Sequence, residues 1–387
     1  MEKLKVGLFI DTWYPMVDGV IMVVDNYAKR LSKFCDVTVF TVNARGKDKT
    51  SHRYKVVKCK RMKLKGIDYD LPLPKFDRKF KKELEKSNLD IVHIHSPFSL
   101  GKIGVKYAKK HNIPCVATMH SQYKQDFYKA THNKFITNIM LKKIMKVFNN
   151  CDEYYAVNQK IAEIFYDYGA KHMPLVQNNG TDLTFDNNKQ ELCDIINKKH
   201  NLKQDDIVFL FLGRIIALKN VFFILDSLKI LKENGYKFKM FYVGSGPDSE
   251  KLQHKINEYN MQNDVILTGK IMEREIVKAY YARAKLFLFP SLYDASSLVQ
   301  IEAASQGTPS LFIKGAPTSS TILEDVNGYV SENDTSKFAE KIMEILNNEK
   351  HYNEVSENAR KDLFVTWDDC VKQMNEKYLI NIQNNKK

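Results

Sequence analysis

The sequence predicts an α/β protein of two domains, each built on a parallel sheet. Three observations carry this. Short apolar runs of strand length recur along the 387 residues, most followed by apolar residues at helical spacing, and that alternation builds βαβ units. The length is enough for two separate cores. A polar stretch rich in Asn and Lys, 182–204, interrupts the alternation. It divides the chain into a first domain, 1–182, and a second, 183–366, with residues 367–387 as a terminal helix.

The chain opens with an apolar strand, Leu4 to Ile10, and the turn Asp11-Thr-Trp-Tyr-Pro15-Met-Val-Asp-Gly19. Val24, Tyr27, Ala28 and Leu31 predict a helix from about Val20 to Phe34, and Asp36 to Val42 is the next strand. This is a β-loop-α-β unit whose glycine-bearing loop lies at the mouth of a parallel sheet. Gly19 is not part of a GxGxxG fingerprint, so it carries no dinucleotide inference. A helix from Phe76 to Ser87, a strand from Asp90 to His95, a helix from Ser99 to His111 and a strand from Pro114 to His120 follow. His93 and His95 alternate with Ile and read as core or sheet-end histidines. His120 falls just past the carboxyl end of its strand, where open α/β sheets place ligands; a capping or surface histidine is the competing reading. Residues 121–150 form one long amphipathic region, with Phe127, Phe135, Ile136, Ile139 and Ile144 edged by Lys129, Lys134, Lys142, Lys143 and Lys146. Such a segment suits a core-facing helix or an interfacial one. A strand at Glu153, a helix from Gln159 to Tyr168 and the turn Asn179-Gly-Thr-Asp182 close the first half.

The second half begins with the strand Ile207 to Gly213, followed by Arg214, Lys219 and a helix from Val221 to Glu233. The strand Lys239 to Gly244 ends in Ser-Gly246-Pro247. A helix from Ser249, a strand at Val265 and a helix from Glu273 to Ala282 lead into Phe287-Leu-Phe-Pro-Ser-Leu-Tyr-Asp294-Ala-Ser-Ser297-Leu-Val-Gln-Ile-Glu302. That stretch reads as a buried strand, a polar turn and a helix opening near Ser297. Asp294 and Glu302 flank the helix start. Free N–H groups and a partial positive charge at a helix N-terminus favour phosphate, while the two carboxylates can accept from hydroxyls. An N-capped helix with one solvated acid would have the same sequence. The set gains meaning from its neighbours: Gly213, Arg214 and Lys219, then Gly244, also follow strands and can neutralise and approach a diphosphate.

Composition narrows the classes. The 44% hydrophobic and 27% charged fractions are those of a soluble globular protein. No apolar run reaches the roughly 18 residues of a membrane-spanning helix, and the N-terminus reads as a strand rather than a signal peptide. Six scattered cysteines without a CxxC pair suggest neither zinc nor disulfides, so a reduced, cytoplasmic setting is expected. Residues 1–182 carry 33 Lys+Arg against 18 Asp+Glu, and residues 183–387 carry 27 against 28. The whole basic excess lies in the first half. Residues 45–65 hold ten Lys or Arg and one acid, Asp48. A nucleic-acid partner is not expected, since Tyr54 is the only interleaved aromatic. Attraction to an anionic membrane fits, and so does a solvated basic loop. Asp68-Tyr-Asp70 matches a DxD metal motif but lacks the hydrophobic strand that should precede it, and reads as a chance match.

Taken together, these motifs resemble the retaining glycosyltransferases of family 4. They are Asp-Thr-Trp-Tyr-Pro-x3-Gly-Val, Thr-Met-His120-Ser, Asn179-Gly-Thr-Asp182, Gly213-Arg214-x4-Lys219-Asn, Val-Gly-Ser-Gly-Pro247 and the Asp294–Glu302 block. The resemblance implies the GT-B fold: two facing Rossmann-like domains with parallel sheets and an interdomain cleft, the terminal helix crossing back to the first domain. It implies that Gly19 lets the backbone approach the donor phosphate and that His120 lies beside the transferred sugar. Arg214 and Lys219 would bind the diphosphate, with Gly244 close by, Ser297 and Leu298 would offer backbone N–H groups to the phosphates, and Glu302 would hold the ribose. Asp294 stands where the family has a glutamate, one methylene shorter, so its reach to the sugar is in question.

The implied reaction moves a hexose from a nucleotide sugar, of UDP-glucose type, with retention and with neither metal nor cofactor. The strongest resemblance is to bacterial 1,2-diacylglycerol 3-glucosyltransferases and related cell-envelope enzymes. The expected acceptor is therefore diacylglycerol or another membrane lipid, and the expected location the inner face of the cell membrane, held peripherally. A capsule, teichoic-acid or polysaccharide enzyme using a polyprenyl-linked sugar is the nearest alternative. A nucleotide-sugar epimerase of the same fold and a non-enzymatic basic membrane-binding protein are more distant ones.

Overall fold

The computed structural model describes residues 3–16, 18–46, 48, 50–63, 70–185 and 188–385. The chain forms two compact units, one of residues 1–179 with 367–387 and one of residues 180–366.

The first unit carries β1 (Lys5–Phe9), α1 (Gly19–Leu31), β2 (Asp36–Val42), β3 (Lys55–Cys59), and the short antiparallel pair β4 (Arg61–Met62) and β5 (Leu71–Pro72). Then come α2 (Arg78–Lys86), β6 (Ile91–Ile94), α3 (Ser99–His111), β7 (Cys115–Met119), α4 (Tyr123–Thr131), α5 (Lys134–Phe148), β8 (Glu153–Ala156), α6 (Gln159–Asp167) and β9 (Leu175–Val176). The main sheet is parallel, in the order β3-β2-β1-β6-β7-β8-β9. Strands such as Ile91–Ile94 and Cys115–Met119 are buried along their whole length, as a sheet covered by helices on both faces requires. α3 has no cap from its own chain neighbour; instead Asp11, at the end of β1, accepts from the Leu100 N–H at 2.9 Å. At the other end Asn112 adopts a left-handed φ of 51° and closes the helix.

The second unit carries α7 (Lys189–His200), β10 (Val208–Leu212), α8 (Val221–Glu233), β11 (Lys239–Val243), α9 (Ser249–Glu258), β12 (Val265–Gly269), α10 (Arg274–Arg283) and β13 (Leu286–Leu288). It continues through α11 (Leu298–Ser305), β14 (Ser310–Ile313), β15 (Tyr329–Ser331), α12 (Thr335–Leu346) and α13 (Glu349–Leu363). Its sheet is also parallel, in the order β12-β11-β10-β13-β14-β15. The last helix, α14 (Trp367–Asn385), belongs to the first unit. There Trp367, Cys370, Val371, Met374 and Tyr378 are buried, and Asp368 pairs with Lys33 of the loop after α1 at 2.7 Å.

Both sheets reverse their strand order beside their first strand, at β1/β6 and at β10/β13. Crevices outside the carboxyl ends of strands at such switch points are where open α/β sheets hold ligands.

Two expectations need correcting. The polar stretch 182–204 contains α7, which buries Leu192, Cys193 and Ile196 and packs on α10. Three buried apolar residues in twelve were too sparse a signal beside the Asn and Lys around them. The single region expected at 121–150 is two helices, broken at His132, whose φ is +49°, with the Asn133 side chain capping α5. All six cysteines are free and buried. Among the described residues, no helix is long and apolar enough to cross a membrane.

Candidate active site

In the second unit, β10 ends at Leu212 and delivers Gly213 and Arg214; the neighbouring β13 ends at Leu288 and leads to Asp294. Lys219, in a 3-10 turn, places its ammonium 2.8 and 2.9 Å from the two Asp294 oxygens and 5.0 Å from the centre of the Phe289 ring. The Ser291 hydroxyl donates to Asp294 Oδ2 at 2.6 Å. The sequence treats Lys219 and Asp294 as separate contacts, to phosphate and to sugar; the fold joins them in one ion pair at the switch point. Arg214 is exposed and makes no ion pair among the described residues.

Gly244 explains itself sterically. Its φ is +147°, and a Cβ there would sit 1.9 Å from the Gly213 carbonyl oxygen. The two strand-end loops therefore close on one another, which only glycine permits. Ser297 caps α11, its hydroxyl accepting from the Gln300 N–H at 3.1 Å, and Leu298 is the first helical residue. Glu302 lies one turn further on. Its Oε1 accepts from Arg274 at 2.6 Å and its Oε2 from the Tyr281 hydroxyl at 3.0 Å. Both partners come from α10 and neither was anticipated; an Arg and a Tyr seven apart on a helix carry no sequence signal for a carboxylate 21 residues beyond.

In the first unit the loop after β1 reaches the N-terminus of α1 at Gly19, where Asp18 caps the helix by accepting from Ile21 at 2.8 Å. A Cβ on Gly19 would meet nothing within 4 Å. The fold does not require glycine there. Asp11 is buried; burial pushes its carboxyl up, opposed by hydrogen bonds from the Ser96 hydroxyl at 2.5 Å and from the first turn of α3.

β6 and β7 end side by side and present His95 and His120. His95 Nδ1 lies 3.0 Å from His120 Nε2, and the rings stack at 5.3 Å. Burial pushes the His120 imidazole down to about 3 and carries His93 and His95 well below their ordinary range. All three rings are uncharged near neutrality. His93 is a core residue, bonded to the Tyr378 hydroxyl of α14 at 2.6 Å and to Thr118 at 2.8 Å. His95, read from sequence as a core or sheet-end residue, is at the sheet end and touches the candidate catalytic histidine. What could have found it is its position one residue past a strand beside the switch point.

Asp70 of the Asp68-Tyr-Asp70 match is held by Arg45 and Arg61, each at 2.8 Å; burial pushes its carboxyl up, but these partners keep it below the ordinary value. Asp68 lies outside the described residues. Several cations of the 45–65 stretch are likewise paired, Lys55 with Glu83 and Lys58 with Asp48. The α4–α5 region divides its apolar residues. Leu141, Ile144, Met145, Val147 and Phe148 are buried, whereas Phe135 (73% exposed), Ile136 and Ile139 stand on the outer face of α5. At helical spacing beyond them follow exposed Lys142, Lys143 and Lys146. Between the two helices lies a groove of about 440 Å³ lined by Lys124, Gln125, Tyr128, Lys134, Thr137 and Asn138.

The two parallel-sheet units have the GT-B fold, and two family models identify the chain as a glycosyltransferase. A family model described as Glycosyltransferase Family 4 matches residues 17–185, and one described as Glycosyl transferases group 1 matches residues 194–362. The chain belongs to the family 4 glycosyltransferases and resembles bacterial diacylglycerol glucosyltransferases. It is 28% identical over 341 residues to the alpha-monoglucosyldiacylglycerol synthase of Streptococcus pneumoniae, across 83% of this chain and 74% of that one. To the enzyme of the same name from Acholeplasma laidlawii it is 24% identical, across 92% of both chains. Among solved structures, HepE of Anabaena in complex with UDP-glucose superposes with a TM-score of 0.76 at 16% identity, over 97% of this chain and 99% of that one.

Proposed function

We propose that the protein transfers a hexose, with retention, from a UDP-sugar to diacylglycerol or a related membrane lipid, working as a peripheral enzyme at an anionic membrane surface. The observation that carries this reading is the likeness, along most of both chains, to two glucosyldiacylglycerol synthases. In this reading Arg214 and Lys219 receive the diphosphate, Gly244 keeps the backbone close to it, and the N–H groups at Ser297 and Leu298 add the helix dipole. Glu302, oriented by Arg274 and Tyr281, uses its remaining lone pairs for the ribose hydroxyls. Asp294 and His120 hold the sugar. His120 contributes as a neutral hydrogen-bonding group, since its burial removes the cation near pH 7.

The transfer proceeds on one face of the sugar. The bond from C1 to the diphosphate oxygen breaks while a bond from C1 to the acceptor hydroxyl forms, and the departing phosphate takes the hydroxyl proton. No cofactor enters; the nucleotide sugar is a substrate. A donor-by-acceptor screen with diacylglycerol vesicles, read by product mass, tests the reading: a glycosyldiacylglycerol is expected, and transfer only to a polyprenyl-linked sugar would overturn the acceptor assignment.

Gly19 offers a separable test. Alanine fits the space and suits a helix better by up to about 1 kcal/mol, so Gly19→Ala should melt no lower than the wild type. If the donor phosphate approaches this backbone, kcat/KM should nevertheless fall by roughly tenfold or more. Unchanged kinetics would remove Gly19 from the site.

The exposed apolar face of α5 is the proposed membrane contact, apolar groups entering the interface and lysines meeting anionic headgroups. Phe135→Ser with Ile136→Ser should weaken partitioning onto phosphatidylglycerol vesicles by roughly tenfold or more, with the melting temperature unchanged because both side chains are already exposed. Equal partitioning would sink this contact.

A further inference from the structure

The hydrogen bond between His95 and His120 holds more information than its length. With both rings neutral, one nitrogen donates and the other accepts. His95 Nε2 is enclosed and has no partner among the described residues. Were His120 the donor, His95 would carry its proton on Nε2, leaving an enclosed N–H with nothing to accept it. Were His95 the donor from Nδ1, Nε2 would be a bare lone pair. Orphaned buried donors are the rarer and costlier case. His93 cannot relieve the problem, although its ring lies 4.0 Å from that of His95, because both its nitrogens are already bonded to Tyr378 and Thr118. His95 therefore donates from Nδ1 and His120 accepts on Nε2.

That assignment determines what His120 offers on its other side. A neutral imidazole accepting at Nε2 has its proton on Nδ1. His120 Nδ1 has no bond among the described residues and is not one of the enclosed unpartnered atoms, so it opens outward at the strand end. We infer that His95 is a positioning residue: through the His95 Nδ1–H to His120 Nε2 bond it locks His120 as a fixed Nδ1–H donor toward a hydroxyl oxygen of the transferred sugar. Its role toward the sugar rests on the proposed placement of the hexose at His120. A donor of fixed polarity is pre-organised, losing no rotamer or tautomer freedom when the sugar arrives.

The test is long-range ¹H–¹⁵N correlation on protein labelled at its ten histidines at pH 7.5, assigned with His120→Ala and His95→Asn. Both His95 and His120 are expected as Nδ1–H tautomers; an Nε2–H signal for His120 overturns the inference. His95→Asn puts an amide nitrogen near the Nδ1 position and should preserve both the His120 signature and most of the turnover. His95→Phe should release His120 into mixed tautomers and lower kcat by roughly 10- to 100-fold, as loss of a histidine-orienting partner commonly does. UDP affinity should stay the same, since neither His95 nor His120 is among the proposed nucleotide contacts. A His95→Phe protein with wild-type turnover and an unchanged His120 spectrum sinks the positioning role. If that variant does not fold, the wild-type spectrum decides. Normal turnover in His120→Ala would remove the sugar contact while leaving the tautomer assignment measurable on its own.

Discussion

Lys219→Met is expected to lower kcat/KM for the donor by roughly 10²- to 10³-fold, the effect of removing one pre-organised group facing developing charge. The reason is a double loss. The Lys219 ammonium lies within 2.9 Å of both Asp294 oxygens, so it neutralises that carboxylate as well as attracting a diphosphate. Without it, the Asp294 carboxylate, which accepts from the Ser291 hydroxyl, presents net negative charge where phosphates should enter. Asp294→Asn should therefore cost less UDP affinity than Lys219→Met, and adding Asp294→Asn to Lys219→Met should recover part of the loss. Contacting charged pairs show coupling of about 0.5–3 kcal/mol in such cycles. Titration calorimetry with UDP and donor kinetics on the two single variants and the double one measure this. UDP affinity of Lys219→Met within threefold of wild type, or no recovery in the double variant, would remove the pair from the donor site. Melting temperatures control for folding, and both side chains are partly exposed, so a large stability loss is not expected.

That coupling shows where sequence reading stops. Elements whose ends are written locally were legible: α3 begins and ends at the residues expected, Ser99 and His111, because a strand-loop start and a left-handed Asn112 mark it. The strand-end positions of Arg214, Lys219, Asp294 and His120 were legible too, since each follows an apolar run. Their partners were not. Lys219 and Asp294 are 75 residues apart and meet only because β10 and β13 are neighbours at the reversal of strand order. Arg274 and Tyr281 face Glu302 through the packing of α10 beside α11, which periodicity does not specify. α7 was missed because sparse apolar residues in a polar stretch look like a linker until the partner face is known. Local chemistry can be read along the chain; pairwise chemistry needs the strand order.

Acidification from pH 7 to pH 5.5 is expected to destabilise the first unit by about 3 kcal/mol, a large share of the 5–15 kcal/mol that holds a typical domain. The source is the column His93, His95 and His120, whose rings are buried and whose protonation burial opposes. In the unfolded chain each titrates near 6.5. The native state thus binds fewer protons than the unfolded state at any pH between about 3, the value for His120, and 6.5. Stability from these groups is fully present above 6.5 and is lost as pH falls below it, at up to about 1.4 kcal/mol per pH unit for each ring. Asp11 acts oppositely, since its raised carboxyl value makes the native state hold a proton longer, and it trims the total. The measurement is direct because the two tryptophans of the chain, Trp13 and Trp367, both lie in the first unit; urea unfolding followed by their fluorescence reports that unit. His93→Gln, which can keep hydrogen bonds toward Tyr378 and Thr118 but does not titrate, should flatten the pH dependence by about a third. An unfolding midpoint that stays constant from pH 7 to 5.5, or a His93→Gln slope equal to that of the wild type, would show that the histidine column is not buried and neutral in solution.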